Sequence, residues 1–195
     1  MAYIRTIERD EAEGDLRDWY DRVGNPDGTV DDVMKVHSLN VDSLRTHFEL
    51  YVSACHKPSP LTRVEREIVA SAVSRINKCE YCLIHHSTGL GRLLKGERPS
   101  LVQQLRDGDH SELTPRERAM VVYAEKLAAT PGAITRSDTD ALREAGLDDR
   151  AILDLAQVTA YFAYANRIVL GLGCELEQFE PGQLPVGGES ERESQ

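Results

Sequence analysis

Nowhere in this chain do apolar and polar residues alternate over more than a few positions, whereas apolar residues recur three and four apart along most of its length. A period near 3.6 builds helices and a period of two builds half-buried strands, so the pattern predicts an all-α fold. Leu16, Trp19, Tyr20 and Val23 share one helix face, with Trp19 expected in the core, and Gly24-Asn25-Pro26-Asp27-Gly28 ends the run. Val30, Val33, Met34 and Val36 predict a short second helix. Leu44, Phe48, Tyr51 and Cys55 predict a third, stopped by Lys57-Pro58-Ser59-Pro60. Thr62 with Glu65, and Thr114 with Pro115 and Glu117, are capping-box signatures. They assign both glutamates to helix starts and not to chemistry. Helices are further expected from about Cys79 to Lys95, from Pro99 to Arg106, from Ser137 to Gly146, and from Asp148 to Gly171. The expectation is a bundle of about eight or nine helices.

With 195 residues, the chain is long enough for one domain whose core needs no disulfides. The expected division is a single helical domain over 1–180, with N-terminal helices in 10–56, a motif segment in 61–95 and C-terminal helices in 113–173. From 181 to 195 the sequence has almost nothing to bury and is expected to be a disordered tail. The net charge of −10 disfavours nucleic acid and anionic membranes as partners. The most apolar long stretch, Ala151 to Gly173, carries Asp154, Gln157, Asn166 and Arg167, so no membrane span is predicted. The start of the chain turns acidic where a signal peptide would be apolar. A soluble, cytoplasmic protein is the expectation.

Of the four cysteines, two form Cys79-Glu80-Tyr81-Cys82. If Cys79 opens a helix, Cys82 and His86 fall with it inside an arc of roughly 60°. A helix N-terminus favours a thiolate, and Lys78 adds positive charge beside it. His86, one turn beyond Cys82, can take or return a proton. Two cysteines three apart at a helix start can also close a disulfide. These are the parts of a dithiol redox cycle. Two other readings stay open on the residues alone. Cys79, Cys82, His85 and His86 could bind zinc, although one continuous helix does not easily surround a tetrahedral ion. Or they could be packing residues. A thioredoxin-like site would need strands that this chain does not offer. No phosphate loop, Ser-His-Asp signature or zincin motif is present. No cofactor or metal is expected. Cys55 and Cys174 read as buried or inert, and His37, His47, His56 and His110 as surface or packing residues.

The segment Leu61 to Leu90, LTRVEREIVASAVSRINKCEYCLIHHSTGL, resembles the core motif of the AhpD-like family, which groups alkylhydroperoxidases with carboxymuconolactone decarboxylases. Glu67, Cys79, Cys82 and His86 match its Glu, C-x-x-C and His at their spacing. The likeness extends from about Val33 to Leu176 and is to the peroxidase-related branch. It implies an AhpD-like helical bundle and reduction of hydroperoxides by a thiol/disulfide cycle. Cys82 would be the attacking thiol, Cys79 the resolving thiol, and Glu67 with His86 the proton-handling pair. Periodicity alone sets Glu67 beside Ser71, Ser74 and Lys78 on the polar side of its helix, so its role is implied by the resemblance only. The resemblance also implies a thiol or dithiol reductant, thioredoxin-like or lipoyl protein, and a homo-oligomer, trimer or hexamer. Faces such as Val33/Met34 and Phe162/Ala163 are candidates for contacts between copies. Tyr81 departs from the pattern: alkylhydroperoxidases of the best-studied type carry a His there, and a phenol with pKa near 10 is a poor shuttle at neutral pH. His85 is the imidazole that could compensate. Alternatives are a decarboxylase-like member acting on a lactone, for which paired thiols have no evident use, and a non-enzymatic redox-sensing or metal-binding module.

Overall fold

The computed structural model describes residues 2–181. The tail expected over 181–195 lies, from 182 on, outside the described residues. Nine α-helices and one 3₁₀ turn occur among them, with no strand: α1 (Gly14–Val23), α2 (Asp32–Lys35), α3 (Val41–Cys55), α4 (Arg63–Ile76), α5 (Glu80–Leu94), α6 (Leu101–Asp107), α7 (Pro115–Ala129), α8 (Arg136–Glu144) and α9 (Asp149–Leu172), with the 3₁₀ turn at Pro131–Ala133. The all-α expectation holds, and the helix limits follow the caps that the sequence carries.

Helix α4 is the axis of the bundle. Ten consecutive residues, Glu65 to Ser74, are buried on every side. A helix buried all round must satisfy its neighbours without bulk, and α4 does so with Ala70, Ser71, Ala72 and Ser74, which let α5, α7 and α9 approach closely. One core joins α3, α4, α7, α8 and α9 around Val69, Val73, Met120, Leu155 and Phe162. A second fills the angle between α4, α5, α6 and α7 with Ile68, Leu90, Leu101 and Leu105. The N-terminal helices close on Tyr20, Met34, Leu44 and Phe48, and Trp19 is only partly buried there, edge-on to Phe48.

The two capping boxes are formed as read. Thr62 Oγ1 accepts from the Glu65 N–H while Glu65 accepts from Thr62 N–H at 2.8 Å. Thr114 and Glu117 repeat the arrangement. Each glutamate also takes an arginine from another segment. Arg116 Nε donates to Glu65 at 2.7 Å, and Arg98 donates to both Glu117 oxygens at 2.7 and 2.9 Å. The caps therefore also pin the termini of α4 and α7 to their surroundings.

Met34 and Phe162, each half of a candidate contact face, are packed inside the chain. They are 6% and 1% exposed and belong to the chain's own cores. Their apolar area is spent in intramolecular packing, which leaves Val33 and Ala163, both only partly buried, as what those two faces offer outward. No described helix is long and apolar enough to cross a membrane.

Candidate active site

The turn from α4 to α5 sets the dithiol in place. Lys78 has φ of +57°, a left-handed conformation usual for glycine and costing a side-chain-bearing residue on the order of 1 kcal/mol or more. Its N–H donates to Arg75 O at 3.0 Å, and Cys79 N–H donates to Ser74 O at 2.9 Å. These two bonds close α4 as a Schellman motif and leave Cys79 extended, as the N-cap of α5. Cys82 then sits at the third helical position, one turn on. All four cysteines are free.

The two thiols are unequal in a way the sequence does not predict. The resemblance makes Cys82 the attacking thiol, but the greater acidity lies with Cys79. The Cys82 thiol donates to Cys79, and outweighs the opposing effect of burial; the Cys82 backbone N–H and Asn166 also favour the Cys79 thiolate. Donating that proton raises the Cys82 pKa well above the ordinary thiol value, and burial adds to the rise. Of the two thiols, Cys79 is therefore the one that ionises first, with its charge at the helix cap and the remaining proton on Cys82. Cys79 is 0% exposed and Cys82 4%. Only Cys82 lines the adjacent cavity, of about 120 Å³.

That cavity is walled by apolar and aromatic side chains, including Met34, Tyr51, Tyr161 and Phe162, into which a few ionisable groups project. Glu67, His85, His86, Asp31 and Arg63 are among them. Glu67, 7% exposed, accepts from His86 Nδ1 at 2.8 Å, and Arg63 lies 3.9 Å from its other oxygen. His86 is held edge-on against Phe162, centroids 4.4 Å apart. With Nδ1–H committed to the carboxylate, the neutral imidazole presents Nε2 as a base. The solvated surface position that periodicity gives Glu67 is therefore corrected, because α4 has no solvent face over that stretch. Glu67, Cys82 and His86 share the cavity wall, with Cys79 directly behind Cys82.

Three further residues were not singled out from the sequence as site residues. Asn166, fully buried on α9, accepts from Asn77 Nδ2 at 2.9 Å and donates to Ser74 Oγ at 3.3 Å. It also favours the charged form of both thiols by hydrogen bonding. Glu177, in the segment after α9, accepts from Tyr81 OH at 2.5 Å, from His85 Nε2 at 2.9 Å and from the Asp32 N–H at 2.6 Å. Burial opposes its ionisation, but the bonds from His85 and Tyr81 outweigh it and hold the carboxyl below its ordinary range. Asp31 is raised instead: burial dominates, against the opposing effects of His85 and a hydrogen bond from Asn25.

The remaining candidates fall where packing puts them. Cys55 is buried, and burial pushes its thiol far up. Cys174, raised by burial to about 12, packs at the edge of the cluster formed by Cys79, Tyr81, Cys82 and Val169. His37, His47 and His56 are buried, and His110 pairs with Glu125 at 3.3 Å. No group of three or more His, Cys, Asp or Glu side chains among the described residues is placed to hold a metal ion. His85 and His86 turn to different carboxylates, Glu177 and Glu67.

Comparison with known proteins agrees with this architecture. The sequence profile of the carboxymuconolactone decarboxylase family matches residues 43–93, the span that contains Glu67, both thiols of the motif and His86. No protein of curated function matches the sequence. A peroxidase-related protein with an alkylhydroperoxidase AhpD core, from Ralstonia eutropha JMP134, is 28% identical. It superposes with a TM-score of 0.82 over 94% of this chain and 97% of that one. A peroxidase-related protein from Silicibacter sp. TM1040 is 34% identical, with a TM-score of 0.73 over 80% of this chain and 81% of that one. The debrominase Bmp8, 17% identical with a TM-score of 0.74 over 90% of this chain and 92% of that one, shares the fold. The chain belongs to the carboxymuconolactone decarboxylase family, as one of its AhpD-like members.

Proposed function

We propose that this protein reduces hydroperoxides by a thiol/disulfide cycle at Cys79 and Cys82, as an AhpD-like peroxidase. The observation that carries the reading is the coincidence of two hydrogen-bonded thiols and a carboxylate–imidazole pair on one small cavity. A cavity of about 120 Å³ is well below the size of common drug-sized ligand sites, and its apolar wall suits a small organic body. The likeness to peroxidase-related proteins supports the same reading.

Cys82 is the attacking thiol because it faces the cavity. His86, oriented by Glu67, takes the Cys82 proton, and the thiolate attacks the terminal oxygen of R–O–OH. The O–O bond breaks, Cys82 becomes a sulfenic acid, and RO⁻ leaves as ROH with a proton supplied ultimately by solvent, which replaces the one Cys79 gave up in becoming a thiolate. Cys79 waits as a thiolate behind it. Its sulfur attacks the Cys82 sulfur, the S–OH bond breaks, and hydroxide leaves as water with the proton held on His86. Two thiols have been oxidised to one disulfide and one peroxide reduced to alcohol and water. A dithiol, from a thioredoxin-like or lipoyl protein, returns the disulfide to thiols by exchange.

The test is a stoichiometric titration. One equivalent of an alkyl hydroperoxide should remove two thiols per chain and lower the intact mass by two hydrogens, both reversed by a dithiol. A peroxide-treated protein that keeps all its thiols would contradict the proposal.

A further inference from the structure

Cys82 is bracketed on α5 by two imidazoles. His85 stands three residues on and His86 four, both on the cavity that Cys82 faces. Each ring is held by a carboxylate from a different part of the fold: His86 by Glu67 of α4 at 2.8 Å, and His85 by Glu177 of the segment after α9 at 2.9 Å. The second pair is the more deeply buried, with side chains 8% and 4% exposed.

Glu177 is an expensive carboxylate to bury, and it is fully provided for. The Asp32 N–H and Tyr81 OH occupy one oxygen and His85 the other. Tyr81 in turn accepts from the Val33 N–H at 3.3 Å and stacks on the His85 ring, centroids 4.5 Å apart and 24° between planes. The ring is thereby fixed in position and rotation, and its Nε2–H is committed to the carboxylate. When doubly protonated it carries a second N–H, on Nδ1, and the ring stands in the cavity wall. A core histidine satisfied for stability alone needs neither a buried ionised partner nor a place in the cavity wall.

We propose that His85 is the catalytic acid that protonates the leaving oxygen of the hydroperoxide, and that Glu177 is its positioning residue. The proposal rests on the peroxidase reading and divides the proton work within it. His86 takes the Cys82 proton as the thiolate forms, the S–O bond forms as O–O breaks, and RO⁻ takes the proton from His85. His86 then gives its proton to the hydroxide released when Cys79 closes the disulfide. His85 recovers a proton from solvent, which balances the proton that Cys79 gave up at rest. Among the described residues, the other ionisable groups on the cavity that His85 lines include Asp31, Tyr81, Arg63 and Glu67, with His86 and Arg92 on its own helix, and Cys79 lies beyond Cys82. Asp31 is the competing acid.

A leaving-group comparison tests this. An alcohol is a far weaker acid than a carboxylic acid, so an alkyl hydroperoxide needs the proton and a peracid does not. Single-turnover oxidation of the thiols is measured with tert-butyl hydroperoxide and with peracetic acid. His85→Gln and Glu177→Gln should each slow the alkyl hydroperoxide by roughly 10² while the peracid rate changes by less than about threefold. Equal slowing of both oxidants, or of neither, overturns the proposal and leaves the peroxidase reading standing. So does selective loss in Asp31→Asn with none in His85→Gln, which assigns the acid to Asp31. A parent protein inert to both oxidants would instead sink the peroxidase reading and this inference with it.

Discussion

His86 Nδ1 and Glu67 Oε2 lie 2.8 Å apart across the packed faces of α4 and α5, so a buried carboxylate fixes which nitrogen of the imidazole serves the cavity. The pair is made by packing and not by sequence proximity: α4 brings Glu67 in without a solvent face, and Phe162 of α9 holds the ring from the other side.

Removing either partner should cost the proton transfer and little else near the thiols. Glu67→Gln and His86→Ala should slow peroxide-driven thiol loss by roughly 10² to 10⁴. Glu67→Gln keeps the shape of the site and so separates charge from packing. Rapid-quench alkylation of the remaining thiols measures it, and an unchanged rate in Glu67→Gln would assign the residue a structural role only.

Asn166 makes a prediction about acidity. It hydrogen-bonds toward both thiols and is itself tied to Asn77 and Ser74. Asn166→Leu removes a donor to the thiolate and leaves Asn77 and Ser74 short of a partner. The pH midpoint for iodoacetamide alkylation at Cys79 should rise, and stability should fall by about 1–3 kcal/mol. A lowered or unmoved midpoint would show that Asn166 does not stabilise the charged pair.

Acid should destabilise the fold well before its carboxylates protonate. Burial lowers His47 to about 3, and burial also lowers His37. The unfolded chain binds those protons near the ordinary histidine value of about 6.5, so stability is full above it and is lost as pH falls toward 3. Glu177, held below its usual range, adds to the loss at lower pH, whereas Asp31, raised by burial, works in the opposite sense there. The melting temperature should fall steadily from pH 7 to pH 4. His47→Gln should flatten that slope; an equally steep slope in the variant would remove His47 as its cause.

The helices are legible in the sequence because their signals are local. Thr62 and Thr114 cap as read, and the periodic faces of α1 and α3 are largely the buried ones. Periodicity fails at Glu67 for a physical reason. A helix packed on all sides has no polar face to read, so a buried functional glutamate looks like a surface one. The resemblance to the AhpD-like family supplies what periodicity cannot. Asn166 and Glu177 escape both, since Asn166 reaches the thiols, and Glu177 reaches Tyr81 and His85, from the far end of the chain through tertiary packing. The unequal acidity of Cys79 and Cys82 is equally hidden, because it depends on which thiol takes the cap position and which meets the cavity.

The account stands most directly on which sulfur meets the peroxide. Consumption of an alkyl hydroperoxide should be followed with a dithiol reductant for the parent, Cys82→Ser and Cys79→Ser. The parent should turn over. Cys82→Ser should lose at least ~100-fold, because the thiolate on the cavity is gone. Cys79→Ser should consume about one equivalent and stop as a sulfenic acid that dimedone traps at Cys82. Undiminished consumption in Cys82→Ser, or a sulfenic acid trapped at Cys79 in that variant, would contradict the account.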